Sequence, residues 1–339
     1  MPGLFIVAQV FLFLSGFNYS GIFQSFNSKS MAIIIASDIK NLEPWTSALK
    51  KADASVEIMT MDEVKDKSLV EFVLAWNYPH GRFREYPRLK TIYSMGAGVD
   101  HLLNDPFLPE NIKVVRIIDP RLSQDMYEFA LAVIMNRLRM LTHFRENQKQ
   151  GTWKKKRYMR ISDVRIGMMG AGEIGNHIAL KLHKSEFKVT GWGRTRGQTT
   201  PYRKYYGSGQ FEDFLKATDI LICLLPLTPA TENIINKQNM QMLPKNAWIV
   251  NLGRGGHVVD EDLIDMLDSG HLDGANLDVF REEPLPADHP FWSHPKIYLT
   301  PHLASLPDPE SVAPQIIENY HRTIENKPLI NLVDRKRGY

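Results

Sequence analysis

Three observations predict an α/β fold of two Rossmann-like, doubly wound parallel sheets with a ligand cleft between them. Short apolar runs alternate with helical stretches in two separate regions of the chain, the pattern of parallel strands joined by crossover helices. A glycine-rich turn, Gly170-Ala171-Gly172-Glu173-Ile174-Gly175, follows an apolar run and opens a helical stretch. The length of 339 residues is more than one ordinary core organises and suits two domains.

The first region opens at residues 32–36, an apolar run suited to a strand buried on both faces. Residues 44–51 read as a helix, and 56–59, 72–76 and 90–94 as strands stopped by Gly, Pro or Asn. The pattern changes from Ser123: residues 125–140 place Phe129, Val133 and Met140 at helical spacing. Residues 151–160 are basic, aromatic and unpatterned, as in a solvated loop. The second region reads as strand 164–169, helix 174–183 and strand 188–192, then strands 220–225, 248–252, 274–278 and 297–299. A last helix covers residues 308–326. The expected division is a substrate-binding (catalytic) domain of residues 31–124 plus 305–339, and a dinucleotide-binding domain of residues 125–304.

The net charge of +3 is too small to argue for nucleic acid or an anionic membrane as partner. Residues 4–14 are apolar but too few to span a bilayer, and no Lys or Arg precedes them; the first basic residue is Lys29. Residues 1–30 are therefore expected to be an extension without a folded role, and the protein to be cytoplasmic. Its single cysteine, Cys223, lies in an apolar run, so it is expected buried and reduced. No Cys/His spacing suits a metal.

In the glycine turn, Gly170 permits the tight bend, Gly172 lets the backbone approach a pyrophosphate, and Gly175 allows close helix–strand packing. The helix N-terminus adds free N–H groups and a positive dipole. At the end of the next strand, NAD enzymes carry an acidic residue on the ribose 2′-OH. Here that place reads Arg194-Thr195-Arg196, with no carboxylate between Glu186 and Glu212. The pattern selects NADPH/NADP+ over NADH/NAD+.

Three further segments close predicted strands: Asn251-Leu-Gly-Arg254-Gly-Gly-His257, Leu277-Asp278-Val-Phe-Arg-Glu282-Glu283-Pro284, and Thr300-Pro301-His302-Leu-Ala304. Together they bring a cation, a carboxylate and an imidazole to the carboxyl edge of a sheet. With Met95-Gly-Ala-Gly98-Val-Asp100, Leu225-Pro226-Leu-Thr228-Pro and the closing Val333-Asp-Arg-Lys-Arg-Gly-Tyr339, the chain resembles the D-2-hydroxyacid dehydrogenase family from residue 31 onward. Within it, the glyoxylate/hydroxypyruvate reductase A branch is the most similar.

The resemblance implies that Arg254 holds the substrate carboxylate and polarises the keto oxygen, that His302 is the acid, and that Glu283, rather than Glu282, pairs with His302. It implies a small 2-keto acid substrate, glyoxylate or hydroxypyruvate, and a homodimer in which Trp153 reaches a neighbouring site. It places Ala97, Gly98 and Val99 at the substrate carboxylate, Trp76 as an aromatic wall, and Leu225, Pro226, Thr228 and Asp278 beside the cofactor. The chemistry agrees, because an alkoxide forming from a ketone needs a nearby cation and a proton donor. A reductase for another 2-keto acid, such as phenylpyruvate or pyruvate, and a dinucleotide-sensing co-regulator acting by protein binding are the alternatives. The intact Arg/Glu/His set speaks for catalysis.

Overall fold

The computed structural model describes residues 32–196 and 199–338, so the expectation for residues 1–30 lies outside them. The first parallel sheet holds β1 (Ile33–Ser37), β2 (Ile58–Thr60), β3 (Phe72–Trp76), β4 (Thr91–Ser94) and β5 (Lys113–Val115), in the order β2-β1-β3-β4-β5. The second, also parallel, holds β6 (Arg165–Met169), β7 (Lys188–Gly193), β8 (Arg203–Tyr206), β9 (Ile220–Cys223), β10 (Ala247–Asn251), β11 (Leu272–Leu277) and β12 (Ile297–Leu299). Its order is β12-β11-β10-β9-β6-β7-β8. The helices are α1 (Glu43–Ala52), α2 (Asp100–Leu103), α3 (Pro120–Arg139), α4 (Leu141–Lys149), α5 (Glu173–Lys184), α6 (Phe211–Lys216), α7 (Lys237–Met242), α8 (Asp260–Asp268) and α9 (Pro309–Ile324).

Both faces of each sheet are covered, which is why the central strands read as unbroken apolar runs. Val312, Ala313, Ile316, Ile317 and Tyr320 of α9 pack with Leu49 of α1 against Ile33, Ile35, Phe72 and Tyr93 of the first sheet. Leu122, Met126, Ala130, Ile134 and Leu138 of α3, four residues apart, pack with Ile178 and Leu182 of α5 on Ile166 and Met168. Cys223 is fully buried in the core on the other face of the second sheet, as expected.

Three differences from the sequence reading have physical causes. α3 starts at Pro120 rather than 125, because the Asp119 carboxylate accepts the Arg121 N–H at 2.9 Å and Pro120 fits the first turn. β5 buries Val114 and Val115 but is only three residues long, too short for a pattern to show, and β8 is the polar run Arg-Lys-Tyr-Tyr at a sheet edge. α4 buries none of its residues, so it carries no apolar stripe to read.

In a parallel sheet all strands end on one edge, and strand order reverses between β6 and β9 in one sheet and between β1 and β3 in the other. Ligands bind at such reversals. The segments singled out from the sequence leave the ends of β3, β4, β6, β7, β9, β10, β11 and β12 on these edges.

Candidate active site

A cleft of about 1080 Å³ collects the carboxyl ends of both sheets. The glycine turn forms one part of its wall. Gly170 sits at φ +107°, and a Cβ there would lie 2.6 Å from the Leu224 carbonyl carbon. Gly175 is equally constrained, since its Cβ would come 2.0 Å from the Gly170 oxygen. Gly172 meets nothing within 4 Å: that glycine opens onto free space. α5 starts directly behind it with no side-chain cap. One glycine needed for the bend, one for the helix to pack close behind it, and a third facing open cleft beside free helix N–H groups make a cradle that fits a pyrophosphate.

Along that wall lie Ala171, Glu173 and Ile174, then Arg194, Thr195 and Arg196 beyond β7, then Leu225, Pro226 and Thr228 beyond β9. The Gly170 and Ala171 N–H groups donate to the Trp192 oxygen at 3.0 and 3.3 Å, fixing the turn against the end of β7. Thr231 Oγ1 donates to the Pro226 oxygen at 2.6 Å and accepts from the Thr228 N–H at 2.9 Å, shaping the third segment.

The remaining residues converge on the same cleft. His302 Nδ1 lies 2.8 Å from Glu283 Oε2, and Glu283 Oε1 accepts the Phe280 N–H at 2.9 Å. Partial burial pushes the Glu283 carboxyl up, but the hydrogen bonds from His302 and Phe280 outweigh it and hold the group below its ordinary value. With Nδ1 engaged, Nε2 is the ring nitrogen left for the cleft that His302 lines. The His302 backbone is left-handed, at φ +54°, a conformation that costs a non-glycine residue on the order of 1–3 kcal/mol. Asp278 holds it there. This residue is 2% exposed; its carbonyl accepts the His302 N–H, and its carboxylate accepts the N–H groups of Leu303 and Ala304 and the Thr300 hydroxyl.

Arg254 enters from the end of β10. Its Nε donates to both Asp100 carboxylate oxygens at 3.0 and 3.1 Å, and its Nη1 donates to the Gly253 oxygen at 2.8 Å. A Cβ on Gly98 would fall 1.8 Å from Nη2, so any side chain there would push the guanidinium from this position. Ala97, Gly98, Val99 and Trp76 also line the cleft. The Trp76 ring covers Gly96 and packs against His101, with centroids 4.6 Å apart and the rings tilted by 54°. Trp153 is 95% exposed and takes no part in the cleft of the single chain.

The family model for the D-isomer specific 2-hydroxyacid dehydrogenase NAD binding domain matches residues 131–304. The glyoxylate/hydroxypyruvate reductases A of Yersinia enterocolitica and Serratia proteamaculans are 32% and 33% identical over 314 residues, 91% of this chain and all of theirs. Among solved structures, a D-isomer specific 2-hydroxyacid dehydrogenase from Xanthobacter autotrophicus Py2, in complex with NADPH and MES, is 35% identical with a TM-score of 0.87. An NADPH-dependent glyoxylate/hydroxypyruvate reductase from Sinorhizobium meliloti, in complex with NADP and sulfate, is 33% identical with a TM-score of 0.85. Each match covers 91% of this chain and 100% of the other. The chain belongs to the D-isomer specific 2-hydroxyacid dehydrogenase family.

Several cleft residues of this 2-hydroxyacid dehydrogenase escaped the sequence reading. Asp100 was visible in its motif, but its bond to Arg254 joins positions 154 apart in sequence. Behind the cleft wall, His101 packs against Trp76, where burial pushes its imidazole down to about 4 and keeps it neutral. Arg116, just past β5, lines the cleft; burial draws its guanidinium below the ordinary value, while Glu173 opposes that shift. Lys204 of β8 lines the wall that also carries Arg194. No helix among the described residues is long and apolar enough to cross a membrane.

Proposed function

We propose that this dehydrogenase is an NADPH-dependent 2-keto acid reductase that converts glyoxylate to glycolate and hydroxypyruvate to D-glycerate. The observation that carries the reading is convergence: Arg254 and His302, the latter held by Glu283, line one cleft with the glycine turn and the Arg194–Arg196 segment. Reductases A that are about a third identical, and NADP-bound structures of the same fold, support the choice of substrate and cofactor.

The dinucleotide, when bound in its reduced form, supplies the hydride. The protein's part is to bind, orient and protonate. Arg254 holds the substrate carboxylate with its remaining donors, aided by the backbone N–H groups of Ala97–Val99, and faces the keto oxygen. Negative charge growing on that oxygen is stabilised by the guanidinium and quenched by a proton from His302 Nε2. Glu283, bonded to Nδ1, orients the imidazole and fixes which nitrogen faces the substrate. Trp76 walls the small-substrate end. Arg194 and Arg196 select the 2′-phosphate.

Residues 31–124 with 305–339 and residues 125–304 act as two domains that close on the ligands and exclude water. The enzyme works as a cytoplasmic homodimer, with Trp153 of one subunit turned toward the other; light scattering of the purified protein checks the stoichiometry. The functional test is a comparison of kcat/KM for glyoxylate, hydroxypyruvate, pyruvate and phenylpyruvate with NADPH and NADH. Glyoxylate or hydroxypyruvate with NADPH should lead, and Arg194→Ala should weaken NADPH more than NADH. A preference for NADH, or for an aromatic keto acid, would refute the reading.

A further inference from the structure

The edge strand β8 brings another cation to the adenosine side of the cleft. Lys204 is paired with Gly191 of β7 in parallel register, so β8 runs beside the strand that ends at Gly193, just before Arg194. Its stem crosses the face of Gly191: a Cβ built there would lie 3.5 Å from Lys204 Cγ and 3.3 Å from the Cβ of Ala171 in the glycine turn. Lys204 thus stands between the pyrophosphate cradle and the Arg194 end of β7. The step from Gly191 to Arg194 is about 10 Å at ordinary strand rise, and the flexible four-carbon lysine stem covers much of it. Lys204, Arg194, Thr195 and Arg196 all line the cleft.

Lys204 also differs from its neighbour. Arg203 is exposed and lies over the Tyr205 ring, 4.4 Å from its centroid, whereas Lys204 is half-buried and burial draws its ammonium below the ordinary value. A partly dehydrated cation at the cleft wall gains from an anion that enters beside it.

We propose that Lys204 binds the 2′-phosphate of NADPH, forming with Arg194 and Arg196 a three-cation cradle. The inference rests on the NADPH reading above. A phosphate monoester carries nearly two negative charges on three terminal oxygens, enough acceptors for two guanidinium forks and one ammonium. NADH offers only a hydroxyl there. Lys204 also sits over Tyr202, 5.6 Å from the ring centroid; a lysine that only packed on that ring would leave nucleotide choice unchanged.

The test is equilibrium binding of NADPH and NADH to the full-length protein, followed by nucleotide fluorescence, for wild type, Lys204→Gln and Lys204→Arg. Lys204→Gln should raise the Kd for NADPH about 5- to 10-fold and leave that for NADH within about 2-fold, with Tm unchanged. Lys204→Arg should retain most of the NADPH affinity. In Lys204→Gln, NADPH affinity should also fall less steeply with salt than in wild type. Equal weakening of both nucleotides, or no change in either, overturns the proposal while a wild-type preference for NADPH stands. A wild type that binds NADH as tightly as NADPH overturns the cofactor reading itself, and Lys204 with it.

Discussion

Arg254 is useful only if its donors point one way. Asp100 engages Nε and Gly253 engages Nη1, which fixes the plane of the guanidinium and leaves its other donors for the cleft. Asp100→Ala should therefore lower kcat/KM for the keto acid about 10²-fold, the scale of a misplaced anchor, without changing the Kd for NADPH. Asp100→Asn keeps an acceptor for Nε and should lose less. Steady-state kinetics beside nucleotide titration separate these outcomes, and equal kinetics for the two variants would remove Asp100 from the account. Glu283 supports a second expectation. Its carboxyl stays ionised to below the usual carboxylate range, so the stabilisation it brings is full above that range and is lost only as pH falls through its depressed value. Glu283→Gln keeps the shape of the side chain but removes the charged acceptor that orients the imidazole, so kcat for the keto acid should fall about 10²-fold at unchanged NADPH affinity, which steady-state kinetics beside nucleotide titration check. At this scale the sequence was informative wherever a motif names the residue, as with Arg254, Glu283 and His302. It was silent where partners are distant: nothing in Asp100 or Arg116 foretells that folding turns them into the cleft.

The glycine turn separates two requirements that look alike in sequence. Gly170→Ala meets a left-handed φ and the Leu224 carbonyl at 2.6 Å, so it should destabilise the protein by about 2–4 kcal/mol. Gly172→Ala has open space around it and should fold normally, yet weaken NADPH about 10-fold or more, because the methyl group enters the space meant for phosphate. Urea unfolding and nucleotide titration of the two variants check this contrast, and a Gly172→Ala protein with wild-type affinity would contradict it. Elements with a buried face were legible: β3 and β12 lie where the apolar runs put them, and α5 and α9 end within two residues of expectation. β8 and α4 were not, since an edge strand with two cations and a helix with no buried residue have no pattern to show. The strand missed from the sequence is also the one that carries Lys204.

Across the whole molecule, two histidines tie stability to pH. His101 and His257 are both pushed by burial to about 4 from an ordinary 6.5. On unfolding each takes up a proton at any pH between those values, so the unfolded chain binds more protons there. Stability should be full above about pH 6.5 and fall by a few kcal/mol as pH drops toward 4. Urea-unfolding free energies over that range check this, and His257→Gln should flatten the decline; a flat wild-type profile would contradict it. The sequence showed two parallel α/β regions and their joint cleft because each strand end carries a readable motif. It did not show how the C-terminal residues attach: Arg335 donates to the carbonyls of Leu108, Pro109, Glu110 and Ile112, and Gly338 comes to line the cleft beside Thr228.

The central claim is that an imidazole and a guanidinium serve one keto acid beside one nucleotide. Single-turnover oxidation of protein-bound NADPH on mixing with glyoxylate measures it most directly. Wild type should oxidise the bound nucleotide stoichiometrically, and His302→Ala should do so about 10²–10⁴-fold more slowly at unchanged NADPH affinity. Oxidation by His302→Ala at the wild-type rate would contradict the account.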